Sequence, residues 1–448
     1  FGIIGPIPKS QFQPESIQQK IDAHPLKQLA VDPKPVYSVV TNCTYDGMCY
    51  NAKQAQDLLA ESVDTIHFDE AWYAYARFNP LYRDRFAMRG NPAEHDAAGP
   101  TVFATQSTHK LLAALSQASY IHIRNGKKPI EHSRFNESYM LQSTTSPLYA
   151  IIAANEIGAA MMDDQQGEAL TQEVIDEAVD FRLALAKVHA AFAAKGEWFF
   201  SPWNAPDVID AETGKKVPFM SASKEQLTTD PECWVLRPGE NWHGFEQLED
   251  DWCMLDPIKA GILVPGMGDD GEMQETGIPA AVVTAFLYQH GIVPSRTTDF
   301  MVLCLFSVGI TKGKWGTLIN VLIEFKKHYD SNTPLSVCLP DLAASHAENY
   351  AGMGMKDLCD EMFAYMKTSQ MDKLQAAAFS HIPTPVKLPR AAFQDHMAGR
   401  CELLSLDKLA GRISAVGVIP YPPGIPIVMP GESFGTTEQP WLQYIYSI

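Results

Sequence analysis

The sequence predicts an α/β fold built on a largely parallel sheet, and three observations predict it. Over residues 1–160, short apolar runs of strand length alternate with segments of helical spacing. Such alternation is the signature of βα layers. The runs end in polar residues, and open parallel sheets bind ligands beyond the carboxyl ends of their strands. Two long amphipathic helices follow downstream, able to cover a sheet.

Each element can be read in turn. The β-rich run Pro35–Val40 is closed by polar residues and Gly47. Asn51–Ser62 has helical spacing, with Asn51 placed as an N-cap. "VDTIHFDE" is a strand ending at Asp69, "TVFAT" (Thr101–Thr105) a third and "ASYIHIR" a fourth. Leu170–Gly196 is a long amphipathic helix with Gly196 as its stop. A Trp-rich irregular region precedes a strand–loop–helix pattern over 253–290. "TKGKWGTLINVLIEFKKHYD" is the second long helix, and the remainder mixes helices with Pro-rich turns, Pro422-Pro423 fixing extended backbone. The chain shows no internal repeat and no low-complexity tract.

The composition sets limits on function. The 448 residues suffice for two or three domains. A hydrophobic share of 46 % with 20 % charged residues is ordinary for a soluble globular protein. A net charge of -18 argues against nucleic acid or an anionic membrane as partner. The apolar runs, such as "MVLCLFSVGI", are too short to span a bilayer, and no signal peptide is visible. The eight cysteines show no CxxC pair and read as reduced thiols of a cytoplasmic protein, Cys43 and Cys49 being nearest in sequence. His67 and His243 lack metal-ligand spacing and read as packed or hydrogen-bonded; no metal is expected. "GMGDDG" reads as a turn.

Two stretches carry chemistry. In "ATQSTHKLLAALSQAS" the third strand ends in Gln106, Ser107, Thr108, His109 and Lys110, followed by an apolar segment. A lysine losing hydration there would have a lowered pKa and a nucleophilic amine. Ser107, Thr108 and His109 offer donors for a phosphate. A snorkelling surface lysine after a polar turn fits the same stretch. In "HFDEAW", Asp69 ends a buried strand among aromatics, where a carboxylate needs a partner. It can hold a pyridine nitrogen protonated and make the ring an electron sink; an ordinary loop carboxylate or cap fits as well.

Together, Asp69 and Ser-x-His-Lys some forty residues on have the arrangement of a pyridoxal 5'-phosphate (PLP) enzyme of the aspartate-aminotransferase fold, PLP fold type I. "TNCTYDGMCYNA", "HFDEAWYAYARFNP", "FATQSTHKLLAALSQASYIH", "LDPIKAGILVPGM", "TGIPAAVV", "LFSVGITKGKWGTL" and "IPYPPGIPIVMPGE" make the resemblance specific. Along essentially its whole length the chain resembles the bacterial inducible ornithine/lysine/arginine decarboxylases. "FDEAWYAYARFNPLY", "VPGMGDDGE" and "VPSRTTDF" resemble most the acid-inducible, arginine-specific members.

The resemblance implies a set of roles. Lys110 matches the lysine that holds PLP, and Asp69 the carboxylate on the pyridine nitrogen. Ser107 and His109 match residues beside the phosphate, and Trp72 an aromatic near the cofactor. Thr145 and Ser146, in "TTSP", resemble a segment reaching the neighbouring subunit's site, and Glu275 is a candidate for the substrate's distal cation. The implied layout is a PLP-binding large domain over 1–163, a small α/β subdomain over 164–315 and an α+β C-terminal domain over 316–448. The implied reaction is decarboxylation of arginine to agmatine, consuming a proton in acid stress, by homodimers assembled into a decamer. Lysine and ornithine remain alternative substrates, and transamination or a non-catalytic scaffold alternative functions. The family's phosphate loop, its ring-stacking histidine and a receiver-like wing precede the matched region, so a truncated chain is expected.

Overall fold

In the computed structural model, residues 3–268, 270–421 and 424–447 are described. Pro422-Pro423, and Asp269 of the expected "GMGDDG" turn, lie outside them. The Gly268 N–H donates to the Glu272 carbonyl at 2.9 Å.

The first sheet has four strands in sequence order: β1 (Ser38–Thr41), β2 (Thr65–Asp69), β3 (Thr101–Gln106) and β4 (Tyr120–Arg124). β1, β2 and β3 are parallel, with Thr41, Asp69 and Thr105 in register. Asp69 therefore sits at the carboxyl edge, as its place in the sequence predicted. β4 runs antiparallel to β3. The link between them holds only a single helical turn, α1 (Thr108–Leu111), and folds straight back without a crossover.

Local signals set several boundaries. The helix Ala52–Leu59 starts where the Asn51 side chain accepts from the Gln54 N–H at 3.1 Å. α2 (His132–Gln142) and α3 (Tyr149–Met161) follow β4. α4 (Asp164–Ala193) buries Val174, Ile175, Ala178, Val179, Phe181, Arg182 and Leu185, one stripe at helical spacing. Beyond it, Gly196 takes a φ of +73°, open to glycine without strain.

A second sheet contains β5 (Ser201–Pro202), β6 (Lys259–Leu263), β7 (Arg296–Thr297) and β8 (Met301–Leu305), in the order β7-β8-β6-β5 and antiparallel throughout. The helix α5 (Lys312–Asp330) buries Leu318, Val321, Leu322 and Phe325 in the same core. That core runs from Phe12 to Met366. A second, smaller core joins Ala378, Ile427, Val428, Phe434, Trp441, Leu442 and Ile445.

Arg182 fixes the site's back wall. It is fully buried, and its guanidinium donates to the carbonyls of Pro257, Trp203 and Lys259 at 3.1, 2.8 and 2.8 Å. Burial pulls its pKa down to about 9. It ties α4 to the start of β6, where Asp256 and Lys259 stand.

Candidate functional site

The carboxyl edge of the first sheet brings the "HFDEAW" loop against the "STHK" turn. The N–H of Glu70 reaches the Thr105 carbonyl at 3.0 Å, that of Asn42 the Asp69 carbonyl at 2.8 Å, and that of Ser107 the Ala71 carbonyl at 3.3 Å. Asp69 is half-buried, and its Oδ1 accepts from the Ala71 N–H at 3.2 Å. His67 packs under the loop, its Nε2 3.0 Å from Thr105 Oγ1. Ser107 caps α1 by position but makes no capping bond with its side chain, so its hydroxyl is uncommitted there. The His109 ring meets the Ala118 carbonyl at 2.8 Å through Nδ1 and pins the loop that returns to β4.

Of the two readings open for Lys110, the structure takes the surface lysine after a polar turn. The apolar segment after it does not take the amine out of water: Lys110 is exposed, while the next residue, Leu111, is buried. A single helical turn points adjacent side chains in different directions, so Leu111 turns to the core and Lys110 away from it.

Trp72 is half-buried against Tyr45, with ring centroids 4.4 Å apart. Thr145 and Ser146 are exposed in the loop between α2 and α3. Glu275 is exposed in the segment 265–279. That segment is held by the C-terminal helices: Lys367 Nζ donates to the Gln274 carbonyl at 3.0 Å, and Lys373 pairs with Glu272 at 3.1 Å. His243, as expected, is hydrogen-bonded, its Nε2 2.9 Å from the Arg237 carbonyl and its Nδ1 accepting from the Phe245 N–H at 3.0 Å.

Two features escaped the sequence reading. The first is Glu70, which is fully buried. It accepts from the Ala87 N–H at 2.6 Å, from Gln106 Nε2 at 3.0 Å and weakly from Asn42 Nδ2 at 3.4 Å. Burial pushes its carboxyl up, these donors oppose that, and the result is about 7. The second is a buried polar cluster behind Trp72. Lys259 Nζ contacts Asp256 Oδ2 at 2.9 Å, the Tyr75 hydroxyl at 2.9 Å and Cys43 Sγ at 2.7 Å. Both members of the Asp256–Lys259 pair have no solvent exposure. Burial disfavours the ammonium, but Asp256 and Cys43 outweigh it and raise the Lys259 pKa above its usual value. The Tyr75 and Tyr82 hydroxyls both donate to Asp256, Tyr82 at 2.7 Å. The ammonium also lies 5.4 Å from the centre of the Trp72 ring. The local signal was a lysine between Ile258 and Ala260 in "DPIKAGIL"; its partners at 43 and 75 leave none.

Among the described residues, all eight cysteines are free thiols, seven of them buried and Cys401 exposed. Among the same residues no helix is long and apolar enough to cross a membrane.

Comparison with known proteins places this geometry. Residues 1–314 match the Orn/Lys/Arg decarboxylase major domain, and residues 372–448 the C-terminal domain of the same family. The chain is 56 % identical over 448 residues to the biodegradative arginine decarboxylase of Escherichia coli, covering 100 % of this chain and 59 % of that protein. It is 43 % identical over 445 residues to the lysine decarboxylase LdcA of Pseudomonas aeruginosa, covering 99 % and 57 %. The solved structure of lysine decarboxylase A from Pseudomonas aeruginosa superposes with a TM-score of 0.89 at 42 % identity, again over 99 % of this chain and 57 % of the other. The chain thus spans somewhat under three fifths of the length of these relatives. The α/β architecture is the fold-type-I architecture expected from the sequence, and the chain belongs to the Orn/Lys/Arg decarboxylase family.

Proposed function

We propose that this chain serves PLP-dependent decarboxylation of a basic amino acid, L-arginine going to agmatine and CO2. One observation carries the choice of arginine: identity to the arginine decarboxylase is 56 %, against 43 % for a lysine decarboxylase and 31 % for the inducible ornithine decarboxylase of Escherichia coli.

The residues present fit the cofactor. Asp69 is fixed at a strand end, its Oδ1 held by a backbone N–H and its Oδ2 without a hydrogen-bond partner among the described residues. Ser107 has a free hydroxyl, Lys110 an accessible amine and Trp72 a supported apolar face. Lys110 and Asp69 would hold PLP, with Ser107, His109 and Trp72 around it. Bound there, PLP supplies an electron sink for the pair left on Cα when the carboxylate departs as CO2. Asp69 would hold a proton on the ring nitrogen. Trp72 excludes water from one side. Cα takes up a proton in place of the carboxylate, so each turnover consumes one.

Glu275 is our candidate for the substrate guanidinium, being exposed and free of ion pairs among the described residues. Thr145 and Ser146 are proposed to reach a neighbouring subunit's site. Homodimers, assembled into a decamer in the cytoplasm, are the proposed working form. Release of CO2 from arginine, lysine and ornithine is the test. We expect arginine to give the highest kcat/KM, with Glu275→Gln raising KM for arginine. Faster turnover of lysine overturns the substrate assignment, and no CO2 from any of the three overturns the reaction.

A further inference from the structure

Cys43 and Cys49 stand on the two arms of a tight turn. The Thr44 N–H donates to the Met48 carbonyl at 2.9 Å, and the Met48 N–H to Thr44 Oγ1 at 3.1 Å. One step outward along the two arms stand Cys43 and Cys49. Beyond them the Tyr50 N–H reaches Asn42 Oδ1 at 3.0 Å. Both sulfur atoms and a carboxylate oxygen of Asp256 lie within 4.8 Å of one another.

The two thiols differ in surroundings. Cys43 Sγ is 2.7 Å from the Lys259 ammonium, while Cys49 Sγ points toward the Gly47 carbonyl at 3.7 Å. Burial pushes the Cys43 thiol up, but Cys49 and Lys259 outweigh it and bring it below its usual value. Burial and Cys43 push Cys49 well above its own. Asp256, Tyr75, Tyr82 and Tyr73 complete the surrounding groups. One sulfur is thus prepared as a nucleophile, and the other keeps its proton.

We propose that Cys43 and Cys49 form a redox modification site that hydrogen peroxide converts to a disulfide, with Lys259 as the positioning residue. The Cys43 sulfur attacks one peroxide oxygen, the O–O bond breaks, and a sulfenic acid and hydroxide form. The hydroxide leaves beside the Lys259 ammonium. Cys49 sulfur then attacks Cys43 sulfur; the S–S bond forms, the S–O bond breaks, and the departing oxygen takes the Cys49 proton to leave as water. Two electrons pass from the two sulfurs to the peroxide. Closing the bond draws Cys43 away from Lys259, which also faces Trp72. With 3 % and 0 % exposure, the thiols react only as the site opens locally, so more slowly than exposed Cys401.

The folded protein, in a Cys401→Ser background, is treated with hydrogen peroxide, alkylated in denaturant and digested with trypsin. The peptide 28–53, which contains both cysteines, should lose two hydrogens and resist alkylation, and dithiothreitol should restore both thiols. Cys49→Ser should stop at a sulfenic acid on Cys43 that a dimedone probe traps. Lys259→Met should slow oxidation by about tenfold for each unit the Cys43 pKa rises. Two results overturn the proposal: a dithiol still free after a peroxide exposure prolonged far beyond the one that fully oxidises Cys401 in the parent, or Cys43 passing to sulfinic acid while Cys49 stays free. The readout is a mass and does not depend on the assigned reaction.

Discussion

Lys110 and Asp69 are proposed to carry the chemistry through position. Both stand at the carboxyl edge of the first sheet, Asp69 as the last residue of β2 and Lys110 in the helical turn α1 after β3. Borohydride treatment of the PLP-loaded enzyme should attach the cofactor to Lys110, and Lys110→Ala should abolish that attachment; label on another lysine removes the assignment. Asp69→Asn should retain PLP while losing activity by about 10²–10³, since one charge-assisted contact in a buried site is worth roughly 2–4 kcal/mol. Turnover within tenfold of the parent excludes Asp69 as the ring partner. Glu70 gives a pH signature. Its carboxyl rises from 4.5 to about 7 on folding, so the native state binds the extra proton. Its contribution is therefore fully present below pH 4.5 and lost as pH rises through 7, amounting to about 3 kcal/mol. Glu70→Gln, permanently neutral, should match the parent in urea midpoint near pH 4.5 and exceed it near pH 8. A difference independent of pH would mean that Glu70 titrates normally.

At the scale of elements, what the sequence disclosed followed the range of the interaction. Asn51 caps its helix through a residue three positions on, Gly196 ends α4 by its own φ, and Asp69 closes a run of alternating burial. All three are local and were readable. The direction of β4 was not, because its apolar run fits either orientation and only the folding-back of the 107–119 segment decides it. The exposure of Lys110 was one of two readings the stretch allowed, since it depends on how one helical turn sits on the sheet. The Lys259 cluster was least visible of all: Cys43 lies 216 positions from Lys259, and no periodicity links them. Close approaches are equally long-range. A Cβ on Gly277 would lie 2.2 Å from the Phe363 ring and 2.6 Å from Gly266 Cα. This packing joins the segment bearing Glu275 to the helix Met355–Thr368. Gly277→Ala should cost about 1–3 kcal/mol by overpacking. Phe363→Leu should cost less in that background than alone, a non-additivity a double-mutant cycle measures. Additive losses would show that the ring yields freely.

Across the whole molecule, charge and exposed apolar surface oppose each other. α2 buries no residue, and α3 buries only Gly158. Between them they expose Tyr139, Met140, Leu141, Leu148, Tyr149, Ile152 and Ile157, a concentration of apolar groups seldom left uncovered. Thr145 and Ser146 lie in the loop joining the two helices. The net charge of -18 repels a second copy at neutral pH, and the sequence pI near 5.1 marks where that repulsion vanishes. Association should therefore strengthen as pH falls from 8 toward 5. Added salt at pH 8 should act in the same direction, because about 0.1 M shortens the screening length to roughly 10 Å. Sedimentation velocity at both pH values, with and without salt, reads this directly. Tyr149→Asp together with Leu141→Glu should abolish the pH-driven shift without changing the far-UV circular dichroism. Sedimentation that is indifferent to pH would mean that charge does not govern assembly. A pH shift that survives both substitutions would place the contact on another face.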